Sequence, residues 1–192
     1  MRIHSCAAAL LACVAWATTT VAAATLEGQR FEDNVRLATQ DLVLNGLGLR
    51  SILFIKVYVA GLYLPEKNAA LGAILNLQGP KRLQLRMLRK ADPDDFIEAL
   101  VEGIEENTSK AELAQLNVRV RQLEQTIVAI GSVVPGDSIN FDFVPGIGTS
   151  LSINGVKKGS AIAGADFYTA VLKIFIGQHP VDDRLKAGLL GR

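Results

Sequence analysis

The chain is 192 residues long, 49% hydrophobic and 20% charged, with a formal net charge of +1. That length suits one domain with a core of its own, and so even a charge balance excludes recruitment to nucleic acid by a basic surface. Two cysteines and two histidines leave little from which to build a thiol or metal site.

Residues 1–24 are a different material from the rest. A short start carrying Arg2 leads into an apolar run over 6–17, and small residues follow, ending Ala22-Ala23-Ala24. This layout predicts a secretory signal peptide cleaved after Ala24. The run is shorter than the ~20 residues a membrane span needs. A lipoprotein signal, with Cys13 lipidated, is the rival reading; an N-terminal hydrophobic helix that stays on is the bland one. Cleavage removes both cysteines, the only tryptophan and His4. The remaining domain, 25–192, then has one histidine, His179, and as many acidic as basic residues. We expect a protein without a stable membrane span, periplasmic or secreted, with no cofactor, acting as a monomer.

In chain order, Leu26, Phe31, Val35 and Leu37 suggest one or two short strands, with turns near Gly28 and at Asp33-Asn34. Residues 44–64 form the longest apolar stretch, and Asn45-Gly46 within it signals a turn or bulge. From Ile52 to Leu64 both parities are apolar, which predicts a strand pair, or one long strand, that is central and covered on both faces. Pro65 ends it. Residues 68–77 read as a helix capped by Asn68 and stopped at Gly79-Pro80. Residues 81–90 alternate as a half-buried strand. Asp92-Pro93-Asp94-Asp95 starts a helix. Ser109 and Glu112 make a capping box before a helix whose apolar residues Leu113, Leu116, Val120, Leu123, Ile127 and Ile130 recur at 3-4 spacing. That stripe reads as packing on the domain, with a coiled-coil dimer as the alternative. Two alternating strands follow, then Asn154-Gly155 as a hairpin turn and a return strand. A strongly apolar helix over 164–176 and a short one capped by Asp182 close the order. The pattern is α+β with a mainly antiparallel sheet.

Few constellations of reactive residues stand out. Asp92, Asp94 and Asp95 are accounted for by helix capping. His179 follows a helix, where capping a carbonyl accounts for it. Gly46-Leu47-Gly48 lacks the third glycine and the helix of a dinucleotide loop. Arg50 is different. A half-buried arginine cannot lose its proton and needs an anion or several acceptors, and a carboxylate is its natural bidentate partner. Tyr58 has the same parity and could donate a second hydrogen bond, with Lys56 nearby. On one straight strand Arg50 and Tyr58 would stand ~27 Å apart, so they can meet only if the chain turns or bulges near 51–54. The bland alternative pairs Arg50 with Asp41 or Glu32 and leaves Tyr58 as ordinary core.

Gly48-Leu49-Arg50 followed by residues 55–64 (IKVYVAGLYL), with Pro135-Gly136-Asp137 and residues 171–179 (VLKIFIGQH) ahead of 182–190, resembles the chalcone-isomerase family, closest to its bacterial exported group. The resemblance spans residues 26–191. It implies a chalcone-isomerase-like open-faced β-sandwich: a large, mainly antiparallel sheet with a layer of helices on one face and a ligand cleft between them. Arg50 matches the family arginine that holds a phenolate in the enzymes and a fatty-acid carboxylate in the non-catalytic binders. Tyr58 stands where the enzymes carry a water-ordering threonine, and Ile174, beside Phe175, replaces a second threonine. No tyrosine occurs between Tyr63 and Tyr168, where the enzymes carry their catalytic one. The resemblance therefore implies a fatty-acid-binding or similar amphiphile-binding protein, with Arg50, Tyr58 and Lys56 as ligand-binding residues and no catalytic set. An isomerase or intramolecular lyase stabilising an oxyanion on Arg50 is one alternative. A partner-binding module using the helix over 113–130 is another.

Overall fold

The computed structural model describes residues 23–192, so the predicted leader, apart from Ala23 and Ala24, lies outside the described residues. Those two alanines open β1 (Ala23–Leu26), which pairs with β2 (Gln29–Glu32) as a small separate hairpin. β3 (Asn34–Leu37), β4 (Gln40–Ile52), β5 (Ile55–Leu64), β6 (Lys81–Met87), β7 (Ser138–Val144), β8 (Gly148–Ile153) and β9 (Val156–Ile162) follow one another in a seven-stranded, wholly antiparallel sheet. The helices α1 (Leu71–Asn76), α2 (Pro93–Asn107), α3 (Lys110–Ile130), α4 (Ala165–Ile176) and α5 (Asp183–Leu189) complete the fold.

Period-two alternation in β5 explains the layering. Ala60, Leu62 and Leu64 join the main core, with α2, α3 and α4. Val59 and Tyr63 join a second core under the β1–β2 hairpin, built around Phe31. Gly61 lies between these last two, and a Cβ there would come within 2.7 Å of the Phe31 ring. The expected central strand covered on both faces is this one.

The apolar stripe of α3 is spent inside the domain: Leu116, Val120, Leu123 and Ile127 are buried. Its capping box forms as expected, with the Ser109 hydroxyl accepting from the Glu112 N–H and the Glu112 carboxylate accepting from the Ser109 N–H. Asp92 does precede α2 at the cap position, but its carboxylate accepts from Ser132 at 2.5 Å and pairs with Lys90. α1 is shorter than the sequence suggests. Asn68 accepts from the Ala70 N–H at 2.8 Å while its own N–H donates to Asn45, so the helix starts only at Leu71. The strand expected over 81–90 ends at Met87. His179 is held through its backbone rather than its ring, exchanging both peptide groups with the Asn107 amide.

The stretch read as a strand pair or one long strand is two strands. β4 runs to Ile52, Leu53 and Phe54 form the turn, and β5 starts at Ile55. Asn45 and Val57 are each an extra residue in this ladder, one on either strand. Asn45 is thereby turned toward the C-terminal segment, where its side chain donates to the Leu189 carbonyl at 2.8 Å. α5 lies directly on β4: a Cβ at Gly46 or Gly48 would collide with the backbone of Gly188 or Leu185.

Candidate functional site

The turn at Leu53 and Phe54 makes Arg50 and Tyr58 direct cross-strand partners. Both lie on the helix-covered face. They line a cavity of about 370 Å³ together with Val57, Leu85, Met87, Phe96, Leu100, Ile174, Phe175 and Val181, a size and an apolar character common in small-molecule sites. Arg89, Lys90 and Asp95 are the other charged residues that line it.

Arg50 is three-quarters buried at its side chain. Its Nη1 donates to the Val181 carbonyl and lies 3.6 Å from Oδ2 of Asp182. Asp182 has two tasks, since its other oxygen caps α5 by accepting from the N–H groups of Arg184 and Leu185. Neither carboxylate that could have neutralised Arg50 locally does so: Asp41 pairs with Arg36 and Glu32 with Arg30.

The Tyr58 ring meets Phe175 edge-on, with centroids 6.5 Å apart. Burial pushes its phenol pKa far up; Asp182 adds to this, while Arg50 opposes it. The hydroxyl therefore stays protonated at any physiological pH and can only donate to an anion. Among the described residues it has no hydrogen-bond partner. A permanent cation and a neutral phenol thus stand side by side in the lining of an apolar cavity. Such a pair can hold a carboxylate or stabilise an oxyanion.

Lys56 is not brought to this site. Val57 is the extra residue in its strand, so the register shifts between Tyr58 and Lys56. The lysine side chain reaches Glu27 in the β1–β2 turn, 2.6 Å away, and does not line the cavity. Reasoning from sequence also missed Asp182 as the counter-charge of Arg50, having read it only as a helix cap. The detectable signal was chemical: a permanent cation in apolar company must find an anion somewhere. Among the described residues, no group of three or more His, Cys, Asp or Glu is placed to hold a metal, and no helix is long and apolar enough to cross a membrane.

The fold has a counterpart among solved structures. A fatty-acid binding protein from Arabidopsis thaliana has a similar fold, with a TM-score of 0.70 over 88% of this chain and 96% of that one, at 16% sequence identity. The search of curated proteins finds no match. The family model described as chalcone isomerase-like matches residues 23–191, that is, all of β1 to β9 and α1 to α5. Sheet, helix layer and cavity all fall inside that span, and the chain belongs to the chalcone isomerase-like family.

Proposed function

We propose that this protein binds a fatty acid or a similar amphiphilic carboxylate, with the acyl chain in the cavity and the head group on Arg50 and Tyr58. The observation that carries the reading is the pairing of these two residues across β4 and β5 at the edge of an apolar cavity. A carboxylate offers two oxygens to two donors, and an acyl chain gains by leaving water for Leu85, Met87, Leu100 and Phe175. The fatty-acid binding protein of similar fold supports the same reading. We further propose that the binding takes place after export, in the periplasm or outside the cell, because residues 1–24 have the layout of a cleavable signal peptide.

The test is mass spectrometry of lipid extracted from the protein made in bacteria. A co-purifying fatty acid, absent from Arg50→Ala, is the expected result. An empty cavity together with unchanged acyl-chain affinity in Arg50→Ala would overturn it.

A further inference from the structure

The β4–β5 turn contradicts the chemistry of its own fold. A two-residue hairpin loop favours Asn-Gly or Asp-Gly, because positive φ is cheap there. The β8–β9 hairpin follows that rule, with Asn154 and Gly155 at φ 51° and 79°. The β4–β5 loop is Leu53-Phe54, and Leu53 takes φ 55°, a backbone region where a branched, bulky residue is strained. Nor does burial reward the choice. Ile52, Leu53, Phe54 and Ile55 are exposed by 52%, 87%, 99% and 53%, four large apolar residues in succession. Contiguous exposed apolar surface of this kind marks a contact with something outside the chain.

Its place suggests what that something is. Ile52 and Ile55 are exposed and also line the cavity, so the tip is the outer lip of the cavity mouth. It is also a narrow convex point. Two protruding side chains and two half-exposed ones cover far less than the ~1,200 Å² of a stable protein interface, whereas a lipid surface accepts a small apolar wedge. Around the lip Lys56 pairs with Glu27, Lys90 with Asp92 and Arg50 with Asp182, and the two remaining charged residues of the lining, Arg89 and Asp95, are of opposite sign. Attraction to anionic head groups is therefore not the driving term.

We propose that the Ile52–Ile55 tip inserts into the surface of a lipid bilayer and so sets the cavity mouth against the acyl-chain layer. The purpose assigned to this contact, exchange of an amphiphile between bilayer and cavity, rests on the function proposed above; the insertion itself is tested without it. The probe is phosphatidylcholine vesicles, with and without phosphatidylglycerol, in flotation with residues 23–192, which carry every element of the described fold. No fatty acid is added, so a failed ligand extraction and a failed flotation are separate results.

The protein is expected to float with both kinds of vesicle, with little dependence on salt. Leu53→Asn combined with Phe54→Gly restores ordinary turn chemistry, so it should fold at least as stably while its vesicle partitioning falls about tenfold or more. A thermal melt checks the first and flotation the second. Phe54→Trp introduces the only tryptophan in residues 23–192, and its emission should shift to the blue with vesicles and be quenched by bromine-labelled acyl chains. Flotation of the Asn-Gly variant equal to the parent, or no quenching, would overturn the proposal. So would binding that needs phosphatidylglycerol and is lost in salt, which would place the contact on charge, or capture only by a protein partner.

Discussion

Arg50 and Tyr58, eight positions apart in sequence, face each other across the β4–β5 ladder, and Arg50 is held from behind by the Val181 carbonyl and Asp182. The guanidinium is thus pre-oriented toward the cavity before any ligand arrives, which reduces the ordering cost of binding.

Removing the cation should weaken long-chain fatty-acid binding more than removing the phenol. A hydrogen bond to a charged group contributes ~1.5–3 kcal/mol, so Arg50→Ala is expected to cost roughly tenfold to a hundredfold in affinity. Tyr58→Phe removes one hydrogen bond to the carboxylate but leaves the cation in place, so it should cost at the lower end of that range, about tenfold. Titration calorimetry ranks the two. An Arg50→Ala affinity equal to the parent's would remove Arg50 from the site.

Ala99 is an exposed residue of α2 that lines the cavity. Ala99→Trp should obstruct the cavity and abolish acyl-chain binding, while stability stays within about 0.5 kcal/mol, as is usual for a surface position. Displacement of a fluorescent fatty acid and a denaturant titration give the two readings. Undiminished binding would mean that the ligand enters elsewhere.

Gly48 sets how closely α5 approaches β4. A Cβ there would press on the Leu185 carbonyl, so Gly48→Val should destabilise the fold by about 1–3 kcal/mol through overpacking. Because α5 begins next to Asp182, the same change should also weaken ligand binding. A variant with parental stability in urea would contradict this packing.

Stability should also pass through a maximum in mild alkali. Lys81 is buried between the Phe143 and Tyr168 rings, its ammonium donating to the Leu77 carbonyl, and burial lowers its pKa from 10.5 to about 8. Between those values the unfolded chain holds more protons than the folded one, so stability rises with pH across that window. Tyr58, Tyr63 and Tyr168 act the other way. Burial raises their phenol pKa values, that of Tyr63 to about 12, and an unfolded tyrosine ionises near 10, so stability falls once pH exceeds about 10. Denaturant titrations from pH 7 to 11 should show the rise, and Lys81→Met should abolish it.

The central strand, both faces of it, could be read from residue types, because apolar residues at both parities report cover on both faces. The meeting of Arg50 and Tyr58 was legible as a condition, namely a turn between them. Lys56 was not, because one unpaired backbone residue, Val57, breaks the parity that links it to Tyr58, and a bulge leaves no side-chain signature of its own. Asp182 was hidden by distance, since nothing local to β4 points 131 residues ahead. The exposed tip was hidden by composition. Ile52 to Ile55 are as apolar as a buried strand, and only the placement of the turn shows that they face outward.

The seam between β4 and α5 has a consequence for how the chain is made. Gly46, Gly48 and Arg50 emerge from the ribosome more than a hundred residues before the segment that fills their groove, since Val181 is 131 positions after Arg50. Until then a nascent sheet carries a bare glycine channel and an uncompensated cation. Contacts this distant in sequence form slowly, so the step that completes the seam is also the one that finishes the binding site. Maturation of the fold and competence for ligand are therefore a single late event.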